Sequence, residues 1–98
     1  MSDLPNFFIR RYDSHKLEKV MKKGAIHAYF DTRNKEDFKI ELARTAVETF
    51  FYMKYEIDLG NMSEEEWQPI IDYIIGVFGP LMDMYYRGLK RDYPLSGK

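Results

Sequence analysis

The stretch SEEEWQPIIDYIIGVFGPLMDMYYRGL, residues 63–89, decides the fold. Ser63 followed three residues later by Glu66 has the spacing of a capping box, and Glu64 and Glu65 suit the positive end of a helix dipole. Trp67, Ile70, Ile71, Ile74, Phe78, Leu81, Tyr85 and Leu89 then recur at intervals of three and four, the signature of one apolar helix face. A long amphipathic helix is therefore expected over 63–91. Pro80 lacks a hydrogen-bond donor and crowds the carbonyl of Gly76, which costs roughly 3 kcal/mol in an ordinary helix interior. A kink or break is expected at Gly79-Pro80, with Gly79 as a cap and Pro80 opening a fourth helix.

Upstream, Asn34 with Asp37 three residues on resembles an N-cap, and Phe38, Leu42, Ala43, Ala46, Val47 and Phe50 follow helical spacing. The preferred reading carries this helix to about Ile57. Phe51, Met53, Tyr55 and Ile57 also alternate with polar neighbours, so a strand over 50–58 is the alternative. Further back, Asp13 or Ser14 caps a short helix whose Leu17, Val20 and Met21 share a face and which Gly24 stops. Residues 25–31 alternate Ile26, Ala28 and Phe30 with His27, Tyr29 and Asp31, the period of an extended segment. Residues 1–12 read as an extended lead-in and 92–98 as a frayed tail. The fold expected is all-α, a bundle of three or four helices with a short extended segment at 25–31. The runner-up is α+β, with strands at 25–31 and 50–58.

The chain has 98 residues, 45% hydrophobic and 32% charged, the balance of one globular domain. It has no cysteine, which excludes disulfides, thiolate metal sites and cysteine nucleophiles. An acid and a proline near Met1 replace the basic and apolar run of an export signal, so a cytoplasmic protein is expected. Asp72 and Asp83 interrupt the most apolar stretch, which argues against a membrane span. The net charge of −1 hides an uneven distribution: residues 1–24 and 87–98 are basic, whereas 55–86 carry acids and no base.

Catalytic and metal signatures are weak. Asp13, Ser14 and His15 are adjacent and so project in different directions, which suits capping and not a relay of hydrogen bonds. His15 and His27 have no second ligand at helical spacing, and the Glu64–Glu66 run fans around its axis. Gly76 and Gly79 lie in an apolar helix without the lysine of a phosphate loop. No enzyme activity, cofactor or metal is expected.

Eight tyrosines, seven phenylalanines and six methionines are many for one small core. The expectation is a non-enzymatic protein-interaction module, an adaptor or inhibitor that binds another protein or itself as a homodimer. Its contact surface is placed on Tyr73, Met82, Met84, Tyr85, Tyr86 and Arg87. The alternative is a nucleic-acid-binding regulator that uses the basic residues Arg10, Arg11, Lys16, Lys19 and Lys23.

Overall fold

The computed structural model describes residue 10 and residues 12–94. They form three helices and no strand: α1 (Ser14–Asp31), α2 (Lys35–Tyr55) and α3 (Glu64–Asp92). The all-α expectation holds for the described residues. The centre of the bundle is α2, which packs on both of the others, while α1 and α3 touch less. The long dimension, 44 Å, is close to the length of α3, whose 29 residues rise roughly 1.5 Å each.

Each helix starts on a side-chain cap. The Asp13 carboxylate accepts from the backbone N–H groups of His15 (3.0 Å) and Lys16 (3.2 Å), which makes Asp13 the cap and leaves Ser14 inside α1. The Asn34 side-chain oxygen accepts from Asp37 N–H at 2.9 Å. At α3 the capping box is complete: Ser63 Oγ accepts from Glu66 N–H (3.2 Å) and Glu66 Oε1 from Ser63 N–H (3.1 Å). These bonds satisfy donors that the helix geometry leaves orphaned.

The extended segment expected at 25–31 is the second half of α1. Leu17, Met21, Ala25, Ala28 and Tyr29 are buried, so the true inward set continues the helical spacing of the first two turns. The apparent alternation chose Ile26 and Phe30, and both are exposed, Phe30 at 55%. Gly24 does not stop the helix. A Cβ there would lie 3.9 Å from Leu42 of α2, so glycine and the following alanines sit where the two helices approach. Packing of that face outweighs the loss of about 1 kcal/mol that glycine brings to a helix.

The strand alternative at 50–58 also fails, because α2 runs to Tyr55 with Phe50 and Phe51 both buried. Glu56 ends it in the left-handed region (φ 56°), its N–H reaching back to Phe51 and Tyr52 carbonyls. Ile57, half-buried, and Leu59, buried, then close the bottom of the core.

Nor does α3 break. It is continuous from Glu64 to Asp92 with Pro69 and Pro80 inside, so there is no fourth helix after Gly79. Pro80 and Gly76 are both exposed, so water has access where Pro80 removes the intrahelical donor to the Gly76 carbonyl. At its far end, Asp92 is still helical. The Tyr29 hydroxyl donates to the Tyr93 carbonyl, and the Tyr93 ring packs edge-on against Phe30, centroids 5.5 Å apart; of the tail expected over 92–98, residues 95–98 lie outside the described residues. Of the expected lead-in, residues 1–9 and Arg11 lie outside the described residues, while Arg10 is helical and exposed.

Candidate functional site: a basic groove between α1 and α2

Packing decides which aromatic and methionine side chains remain for binding. Met82 is fully buried and is removed from the expected contact surface. Tyr73, Tyr85 and Tyr86 are half-buried and pack against the core. Tyr73 shares a hydroxyl–hydroxyl hydrogen bond of 3.3 Å with Tyr12, and burial followed by that bond pushes the Tyr12 hydroxyl up to about 12. The Tyr86 ring tilts onto Phe38 at 5.2 Å and meets Tyr29 edge-on at 5.6 Å. Burial, with a smaller effect of the Glu18 charge, likewise raises Tyr85 above the usual range. Of the six, only Met84, 52% exposed, and Arg87 lie open. The excess of aromatics is spent mostly on the inside.

A groove of about 430 Å³ lies instead between α1 and α2. Lys16, Lys19 and Lys23 recur at three and four along α1, with Val20 between them. Thr49, Phe50, Met53 and Lys54 line the opposite wall from one face of α2. Met53 is 71% exposed, the most open large apolar side chain among the described residues, and Tyr52 beside it is also exposed. The Lys54 ammonium lies 5.6 Å from the Phe50 ring centroid and 5.7 Å from that of Tyr55, which holds it at the rim.

Four lysines thus surround an apolar floor. No carboxylate lines the groove, and none of the four makes an ion pair among the described residues. Asp13 lies at its end, occupied as the cap of α1. The N–H groups of Lys16 and then His15, with the charges of Lys16 and Lys54, hold its carboxyl below the ordinary value.

The structure therefore brings together Lys16, Lys19 and Lys23 of the expected basic stripe, and adds Lys54 and Met53. Arg10 is exposed, and Arg11 lies outside the described residues. Lys54 and Met53 carried no signal in the sequence as members of this group, because only the antiparallel pairing of α1 and α2 sets them opposite Lys19. No group of histidines and carboxylates among the described residues is arranged to hold a metal, and no helix there is long and apolar enough to cross a membrane. Comparison with protein families, curated proteins and solved structures finds no match.

Proposed function

We propose that this protein is a non-enzymatic binding module that holds an acidic, amphipathic segment of another protein in the α1–α2 groove. One observation carries the reading: four lysines with no ion pair among the described residues enclose an apolar floor with Met53 at its most exposed point. Lysine stems add apolar cover while their ammonium groups stay in water, so such a groove favours a ligand that presents carboxylates around an apolar ridge. Methionine adapts to varied apolar partners, and cationic rims steer acidic ones. A second copy of this chain offers acids along the exposed side of α3, at Glu65 and Asp72, and a homodimer built on the same groove is the self-association form of this reading.

The test is fluorescence anisotropy with acidic amphipathic helical peptides, their charge-reversed counterparts and single-stranded DNA. Saturable binding of the acidic peptides supports the proposal if Met53→Ala weakens it about tenfold, equivalent to about 1.4 kcal/mol of lost apolar burial. Lys19→Gln with Lys54→Gln should weaken it further and flatten its salt dependence. Preferred binding of DNA, with a steep salt slope and no response to Met53→Ala, would instead favour the nucleic-acid alternative.

A further inference from the structure

A second cleft, of about 500 Å³, lies on another part of the bundle, where the α1–α2 turn meets the last turns of α3. Arg33 comes from the turn, Lys35 is the first residue of α2, and Arg87 and Lys90 lie three apart on α3. Tyr86, half-buried and backed by the buried Tyr29, forms the apolar wall, and no carboxylate among the described residues lines the cleft.

Asp83, one turn before Arg87 on α3, is already engaged. Its carboxylate lies 3.1 Å from the Lys39 ammonium and 3.9 Å from that of Lys35. Arg33, Arg87 and Lys90 make no ion pair among the described residues. The N-terminus of α2, capped by Asn34, opens on the same cleft, where Glu36 and Asp37 of its first turn already complement the helix dipole.

We infer that this cleft is a binding site for a small, multiply charged phosphate compound. Arg33 from the turn and Arg87 and Lys90 from α3 converge positive charge on one concavity with no ion pair among the described residues, and Lys35, shared with Asp83, adds to it from α2, so the folded chain carries repulsion there that a polyanion relieves. Two guanidinium groups supply planar paired donors suited to phosphate oxygens, and a lysine at either side adds point charge. The half-buried Tyr86 ring leaves a flat apolar surface beside them, which a phosphate ester could cover and a bare polyphosphate could not. Arg87, which the sequence assigned to a protein interface, belongs to this cleft. The inference is independent of the α1–α2 groove.

Isothermal titration calorimetry with inorganic phosphate, sodium tripolyphosphate and ATP tests it on the full chain. Tripolyphosphate should bind in a saturable way and more tightly than phosphate. Arg87→Gln with Lys90→Gln should weaken it at least tenfold, as should Arg33→Gln alone, while Lys19→Gln with Lys54→Gln leaves it within twofold. Tighter binding of ATP than of tripolyphosphate assigns the site to nucleotide-like esters, and the reverse order assigns it to polyphosphate. The inference is overturned if neither compound saturates at millimolar concentration, or if the groove and cleft variants lose binding equally, which is the behaviour of diffuse surface charge.

Discussion

Replacing Pro80 by alanine should stabilise the protein, and the sign of that change separates an unbroken α3 from a broken one. In the continuous helix, Pro80 leaves the Gly76 carbonyl without its intrahelical donor and presses its ring toward it. Restoring that hydrogen bond alone gains about 1 kcal/mol, and the full penalty for an internal proline is about 3 kcal/mol. Because Gly76 and Pro80 are exposed, hydration recovers part of the penalty, which places the expected gain near 2 kcal/mol. Little packing is lost, since Pro80 lies outside the core. Thermal and urea denaturation followed by far-UV circular dichroism should show a midpoint about 10 °C higher at this size. Gly76→Ala is the companion variant: a Cβ there meets no atom within 4 Å, so it should gain about 1 kcal/mol. If the chain instead broke at Gly79, Pro80 would sit preorganised at the start of a helix, and alanine would lower stability by about 0.4–1 kcal/mol through a freer unfolded chain. An unchanged or lower midpoint would refute the continuous helix.

Other expectations follow from the caps, the core and the ionisable groups. Ser63→Ala removes one half of the capping box and should cost about 1 kcal/mol by urea denaturation. Tyr86→Ala loses its contacts with Tyr29 and Phe38 and should cost about 2 kcal/mol, whereas a surface tyrosine would cost almost nothing. In alkali, the raised hydroxyls of Tyr12, Tyr29 and Tyr85 favour the neutral folded form. Their contribution is complete below pH about 10 and is lost at higher pH, for Tyr12 as pH rises toward about 12, so the midpoint should fall above pH about 10. In acid the sign reverses for Asp83, whose carboxyl the contact with Lys39, with added charge from Lys35 and Arg87, holds low. Its contribution is present above about pH 4 and disappears as pH drops further, and Asp83→Asn should flatten that acid limb.

The parts of the fold legible in the sequence are those set by local chemistry. The Ser63–Glu66 box, the Asn34 cap and the three-and-four spacing of Trp67 through Ile74 depend on residues one turn apart, and each appears as read. The misreadings all needed a second helix to resolve. Residues 25–31 alternate locally, but the choice of Ala25, Ala28 and Tyr29 as the inner face depends on α2 lying alongside at Leu42. Gly24 and Pro80 carry local penalties that continuous packing on either side overrides. The depth of Met82 and Tyr86, both expected at the contact surface, was hidden for a related reason. Met82 and Tyr86 look like surplus aromatic and methionine content, yet Tyr29, Phe38 and Tyr86 fill the same corner of the core. The lysine stripe on α1 was visible, whereas its completion by Lys54 and Met53 depends on how the helices pair.

The most direct measurement of the central proposal is a two-dimensional amide NMR titration with an acidic amphipathic peptide. The expected result is saturable shifts concentrated at Lys16–Lys23 and Thr49–Lys54, with the Met53 amide among the largest. Shifts confined to the Arg33, Arg87 and Lys90 region, or spread over every exposed cation and abolished by moderate salt, would contradict it.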